Sequence, residues 1–186
     1  MPLANAAPRN CLCEDGFCLR PVDDFSLFTG FSCGNDDLDE FLHEDAETHA
    51  HEFIARTYTL HAVDGEALSV PIAFASLLND SVRVRSGAKK GIPRICHYPN
   101  MPAVKIGRLG VRVELQGRHF GTVLLNILKR LFVTDNRTGC RFLVVDAYND
   151  TKTISFYKNN GFRFLYSLDA HSDTRILFYD LKRILL

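Results

Sequence analysis

Residues 103–131 read as a strand, a glycine-containing turn and a helix, and this succession restricts the fold more than any other stretch. In "AVKIGRLGVRV" (103–113) Val104 and Ile106 share one parity, whereas Leu109, Val111 and Val113 share the other. The alternation slips by one residue near Gly107. A β-bulge produces such a slip, and a strand buried on both faces tolerates it equally well. "LQGRHFGT" (115–122) then turns the chain, after which Phe120, Leu124, Ile127, Leu128 and Leu131 fall on one helical face. Where such a turn opens a helix, unpaired amides and the peptide dipoles favour an anion. The same turn could also be only a turn.

The remaining elements follow from periodicity and turn chemistry. "CLRPV" is a first strand, with Pro21 holding it at an edge. Leu38, Phe41, Leu42, Ala46, Ala50 and Phe53 form a helical stripe, which Asn35 caps and Asp36 and Asp37 complement in the first turn. "FIARTYTLHAV" and "VPIAFASLLND" are strands around Asp64 and Gly65. The segment 81–100 is a long basic loop. "TGCRFLVVDA" is a buried strand, and Asn149 or Asp150 caps a short helix that Gly161 ends. "FRFLYS" and "TRILFYDL" close the chain as strands. This order predicts an α+β or α/β domain with a mixed sheet.

With 186 residues, 46% of them hydrophobic, the chain suits one domain, taken as residues 19–186 behind a loose extension 1–18. No run approaches a bilayer span and no signal peptide is evident, so a cytoplasmic protein without membrane contact is expected. The six cysteines are then expected as thiols. Four of the cysteines crowd the first thirty-three residues, which makes a zinc site the sharper alternative, but "CLCEDGFC" has no Cys-x-x-Cys pair and no second half of standard spacing, so no metal site is expected there. A net charge of zero conceals a segregation: Arg20 is the one Lys or Arg between Glu14 and Glu52, among many acids. From Ser81 to Val113 the chain carries Arg83, Arg85, Lys89, Lys90, Arg94, Lys105, Arg108 and Arg112 and no acid. That stretch suggests a polyanionic ligand or simply a solvated face.

"RLGVRVELQGRHFGTVLL" resembles the acetyl-CoA motif of the GCN5-related N-acetyltransferases, a Leu-Ala-Val strand followed by Gln/Arg-x-x-Gly-x-Gly/Ala. Leu109, Gly110 and Val111 match the strand; Gln116, Gly117 and Gly121 match the loop. Two residues depart: Gly110 replaces the usual alanine, and His119 stands where the family has its first motif glycine. An L-residue at 119 is expected to keep φ below zero. "VDAYNDTKTISFYKNNGF" resembles the family's second signature, in the right order. "FSCGNDDLDEFL" followed by "ARTYTL" resembles a branch that includes toxin-type acetyltransferases, which modify the amino group of aminoacyl-tRNA.

The resemblance implies a mostly antiparallel sheet, splayed between its fourth and fifth strands and flanked by helices, with acetyl-CoA as acetyl donor. The loop Gln116, Gly117, Arg118, His119, Phe120, Gly121 and Thr122 would hold the pyrophosphate. The strand Leu109, Gly110, Val111 and Val113 would pair with pantetheine, Asn149 would hydrogen-bond the cofactor arm, and Phe156 would belong to the cofactor site. Tyr157 would be the general acid, since a phenol of pKa about 10 stays protonated at neutral pH. A half-buried core tyrosine is the plainer reading. Glu114, His61 and His97 are weak candidates for a base, and an α-amine of pKa about 8 needs one less than a lysine does. The implied reaction is direct acetyl transfer to a primary amine, either a small amine or a peptide α-amine. The alternatives are acetylation of aminoacyl-tRNA held by the basic segment 83–112, and a catalytically idle module that binds coenzyme A or a partner. A homodimer is left open.

Overall fold

The computed structural model describes residues 11–64, 67–83, 98–134, 136 and 138–185. They belong to two compact units, Met1–Leu77 with Arg108–Asp135 and Leu78–Gly107 with Asn136–Leu186.

In the first unit, β1 (Leu12–Glu14) and β2 (Phe17–Pro21) form an antiparallel hairpin in which Glu14 pairs with Phe17. The loop between them is Asp15 and Gly16, at φ 50 and φ 79. Two positive φ values are what a type I′ turn requires, and Asp-Gly supplies them. Residues 12–14 and 17–18, expected within a loose extension, are thus strand. The expected edge position of β2 is also corrected: β1 covers one side, and β3 (Arg56–Asp64) pairs with the other. Pro21 lies beyond the β1–β2 overlap, which ends at Leu12↔Leu19. The same hairpin holds a Cys13–Cys18 disulfide where thiols were expected, because the register places these two residues opposite each other.

Val63 and Asp64 pair with β4 (Ala67–Leu68), across a turn whose residues 65 and 66 lie outside the described ones. β5 (Ala73–Arg83) pairs with β3 from Arg56↔Leu77 to Leu60↔Ala73. The acidic run forms α1 (Asp36–Glu40), a π-helical turn over Phe41–Asp45 and α2 (Ala46–His51). Asn35 caps it, its side chain accepting from the Leu38 amide at 3.1 Å. Phe41, Leu42 and Ala46 are buried with Val22, Phe28, Phe31, Cys33 and Phe74. The expected stripe ends sooner than its period suggests: Phe53 falls past the helix at φ 57 and is 96% exposed. Helix α3 (Phe120–Thr134) buries Leu124, Ile127, Leu128 and Leu131 as its period predicts, and packs on β1 and β2.

In the second unit, β6 (Asn100–Val111), which continues past Gly107 into the first, pairs in parallel with β7 (Phe142–Tyr148) from Ala103↔Phe142 to Ile106↔Val145. β7 stays paired with β9 (Thr174–Asp180) as far as Tyr148↔Thr174. The β6–β7 ladder ends early, between the two strands where the resemblance implied a splay. Burial along β6 changes phase at Ala103 and Val104, both buried, and not near Gly107. β8 (Arg163–Phe164) is a two-residue remnant of the strand read in "FRFLYS". The hydrogen-bonded strand path is β1-β2-β3-β5-β6-β7-β9-β8, a mixed and mostly antiparallel sheet in an α+β fold. Helix α4 (Thr151–Asn159) is capped by Asp150, which accepts from the Thr153 amide at 2.8 Å, and is followed by Gly161 at φ 82. Val82, Met101, Ala103, Phe142, Val144 and Phe178 form a core cluster, with Leu165 and Ile176 packed against it. Among the described residues no helix is long and apolar enough to cross a membrane.

Candidate functional site

The end of β6 is anchored by residues from early in the chain. A Cβ added to Gly110 would lie 2.6 Å from Phe74 Cε1 and 3.1 Å from Cys33 Sγ, so the space of the family's alanine methyl is already filled. The Arg112 amide donates to the Ile72 carbonyl and the Val113 amide to the Ser32 carbonyl, each at 2.9 Å. Val113 therefore cannot offer its N–H to an extended ligand, which corrects its assignment to the pantetheine track. Gln116 Nε2 donates to the Cys33 carbonyl at 2.7 Å and to the Val111 carbonyl at 3.1 Å. Its side chain ties the loop to the strand end.

Asp39 organises this support. Its carboxylate accepts from the Ser32 hydroxyl at 2.6 Å and from the Cys33 amide at 2.8 Å. Burial alone would raise the Asp39 carboxyl, but the hydrogen bonds from Cys33 and Ser32 outweigh it and hold the group below its ordinary value. Burial, followed by contact with Asp39, pushes the Cys33 thiol up to about 12. Nothing local in "FSCGNDDLDEFL" marks Ser32, Cys33 and Asp39 for this role, although the stretch resembles the toxin-type branch.

The loop itself is built for amides. Gly117 has φ 77 and His119 φ 64. The expectation that His119 keeps φ below zero is thus wrong: this L-residue adopts the left-handed conformation that favours glycine and in which His is enriched several-fold. The His119 carbonyl accepts from the Thr122 amide at 2.9 Å and from the Val123 amide at 3.1 Å, starting α3. Among the described residues the amides of Gly117, Arg118, His119, Phe120 and Gly121 have no acceptor. Five unpaired donors at the start of a fifteen-residue helix form an anion cradle, and the exposed Arg118 and His119 side chains stand beside it.

Asn149, Phe156 and Tyr157 lie in the second unit. Asn149 is not the helix cap, since Asp150 is. Its Nδ2 donates to the Ala170 carbonyl at 3.1 Å and to the Ser172 carbonyl at 2.9 Å, and its amide donates to the Asp173 carbonyl at 2.8 Å. It thereby holds one rim of a groove lined by Tyr166, Leu168, Asp169 and Ser172. Tyr157 is 6% exposed, its ring 5.0 Å from Phe156 and 5.3 Å from Phe162. Its hydroxyl has no partner among the described residues, and burial pushes the phenol well above its ordinary pKa. A phenol whose ring is buried keeps its proton at neutral pH.

The described cations of the basic stretch are largely engaged. Lys105 pairs with Asp146, and Arg108 Nε lies 3.8 Å from an Asp37 carboxylate oxygen. Arg112 Nε donates to the Pro71 carbonyl at 3.0 Å. Arg85, Lys89, Lys90, Arg94 and His97 lie outside the described residues. His61 is buried, with one ring nitrogen 2.7 Å from the Ser69 carbonyl and the other 2.9 Å from Thr59 Oγ1. Burial also lowers its pKa, so it is a core histidine. Glu114 is exposed in a single turn of 3-10 helix, Val113–Leu115.

No protein-family model matches the chain. Solved structures do. A tyrosine-to-phenylalanine mutant of KacT is 26% identical with a TM-score of 0.72, covering 91% of this chain and 98% of that one. AtaT complexed with acetyl-methionyl-tRNAfMet is 25% identical with a TM-score of 0.71, covering 91% and 97%. A mutant of the AtaT toxin is 25% identical with a TM-score of 0.69, covering 92% and 93%. In its sheet, in its two signatures and in these likenesses, the chain is similar to the GCN5-related N-acetyltransferases, near their toxin-type branch.

Proposed function

We propose that the protein is an acetyl-CoA-dependent N-acetyltransferase that acts on a primary α-amine. The observation that carries this reading is the set of five unpaired amides from Gly117 to Gly121, placed directly after a strand whose end is anchored by Cys33 and Ile72. That cradle fits a pyrophosphate. Acetyl-CoA, when bound, supplies the acetyl group as a reactive thioester.

The amides of Gly117 to Gly121 would bind the pyrophosphate oxygens, Arg118 would add a charge-assisted contact, and Leu109 to Val111 would orient the pantetheine amides. Tyr157 holds a proton on Oη for a thiolate leaving group of lower pKa. Asn149 acts through its hold on residues 170–173. No described side chain is arranged as a base, which favours an acceptor that is partly neutral near pH 8, as an α-amine is. His119 does not argue for an idle module, because it keeps the loop in the shape a glycine would.

A second reading names the amine as that of an aminoacyl-tRNA. It is favoured by the likeness to AtaT, a protein solved with acetyl-methionyl-tRNAfMet. Full-length protein incubated with labelled acetyl-CoA, charged total tRNA and a panel of amines and peptides, read by mass spectrometry, tests both readings. Acetylated aminoacyl-tRNA, formed at a rate that falls steeply with salt, supports the second. Salt-insensitive acetylation of a free amine or peptide removes it. If acetyl-CoA neither raises the melting temperature nor is consumed, the whole proposal fails.

A further inference from the structure

The β1–β2 hairpin carries chemistry that acetyl transfer does not use. The sulfur atoms of Cys11, Cys13 and Cys18 lie within 4.8 Å of one another. Cys11 Sγ is 3.1 Å from Cys18 Sγ and 3.6 Å from Cys13 Sγ. Backbone geometry explains the convergence. Cys13 and Cys18 are cross-strand partners, so their side chains share a face, and Cys11 sits two residues before Cys13 on that same face. The type I′ turn at Asp15 and Gly16 fixes the register. Three thiols are thus gathered by local structure, without any contribution from distant loops.

We propose that, when reduced, Cys11, Cys13 and Cys18 form a trithiolate site for one Zn2+, and that oxidation to the Cys13–Cys18 disulfide expels the ion. Zinc–thiolate bonds of about 2.3 Å at tetrahedral angles set sulfurs about 3.8 Å apart, a spacing that thiols clustered this closely reach by side-chain rotation. Cys18 is buried, Cys11 half-buried and Cys13 exposed, so the ion has an open approach, and the fourth position is left to water or an external ligand. Arg20 lies beyond Cys18 on the same face of β2. Its charge offsets the net negative charge of a zinc trithiolate. His61 is the cross-strand partner of Cys18, but both its ring nitrogens are engaged, so the site is three sulfurs and not three sulfurs with an imidazole.

The disulfide state and the metal state exclude each other, because both use Cys13 and Cys18. With a low-molecular-weight disulfide as oxidant, the Cys13 thiolate attacks one oxidant sulfur and releases the first small thiolate. The Cys18 thiolate then attacks Cys13 Sγ, forming the protein disulfide and releasing the second. Two electrons pass to the oxidant, and the ion, left with Cys11 alone, dissociates.

Full-length protein, reduced with a phosphine and desalted without oxygen, is titrated with Co2+ and then Zn2+. One Co2+ per chain should bind with a thiolate-to-cobalt charge-transfer absorption that one Zn2+ abolishes. Cys11→Ser should weaken Zn2+ binding more than about 100-fold, while Cys140→Ser leaves it unchanged. Oxidised glutathione should release the zinc in step with a Cys13–Cys18 disulfide found by peptide mapping. Absence of the charge-transfer band at stoichiometric Co2+, or Zn2+ binding by Cys11→Ser at wild-type affinity, overturns the proposal. So does zinc that remains bound after the disulfide has formed.

Discussion

Gln116 Nε2 donates to the Cys33 carbonyl at 2.7 Å across 83 residues of sequence, and this bond joins the cradle loop to the segment beneath the end of β6. The same nitrogen donates to the Val111 carbonyl. Gln116→Glu replaces a donor facing two carbonyls by an acceptor. We expect acetyl-CoA affinity to fall several-fold, since a half-exposed hydrogen bond contributes about 0.5–1.5 kcal/mol. Isothermal titration showing unchanged affinity would remove Gln116 from this role.

Gly110→Ala tests the packing that replaces the family's alanine. The added methyl meets Phe74 Cε1 at 2.6 Å and Cys33 Sγ at 3.1 Å, and neither is the tip of a flexible chain. Overpacking of this kind costs about 1–3 kcal/mol. Urea denaturation should show the loss, and Phe74→Leu in the same chain should recover part of it. A Gly110→Ala protein as stable as wild type would mean that the strand end yields easily.

His119 occupies a left-handed conformation at φ 64. His119→Gly removes the strain and adds unfolded-state entropy, so stability should move by less than about 1 kcal/mol with cofactor binding retained. His119→Val should lose more than about 1 kcal/mol, because a β-branched residue tolerates this region poorly. Equal melting temperatures for the two variants would contradict the conformation.

Asp39 links stability to pH. Its folded-state pKa lies below the ordinary carboxylate value of about 3.9, so its contribution is complete above that pH and is lost as pH falls through the folded value. Asp39→Asn should therefore be less stable than wild type at pH 7, and the gap should narrow as pH drops below about 4. A gap that stays constant to pH 2 would show that the charge is irrelevant.

Tyr157→Phe should lower kcat about 10²- to 10⁴-fold while leaving acetyl-CoA binding intact. Because burial raises the phenol, the wild-type rate should show no loss from its deprotonation up to about pH 10. Turnover by Tyr157→Phe at the wild-type rate would assign the proton to another donor.

Local chemistry made much of the molecule legible. The Asn35 cap, the buried face of α3 and the left-handed Gly161 each depend on neighbours within a few residues, and periodicity and capping rules capture such relations. Asp-Gly between Glu14 and Phe17 carried the β1–β2 hairpin just as openly, and reading 1–18 as an extension overlooked it. The resemblance of the two signatures to the acetyltransferases located the cradle loop and the helix bearing Tyr157.

The sequence by itself determined the order of elements, the glycine turn and the resemblance to the acetyltransferases, because these are written in spacing and residue type along one stretch of chain. Tertiary structure alone decided that Val113 is taken by Ser32, that Gly110 must lack a side chain because Phe74 and Cys33 are there, and that Lys105, Arg108 and Arg112 are answered by Asp146, Asp37 and Pro71. A charge run reads as free until its partners are known. Those partners lie some 30 to 80 residues away, where no local rule of period or propensity reaches.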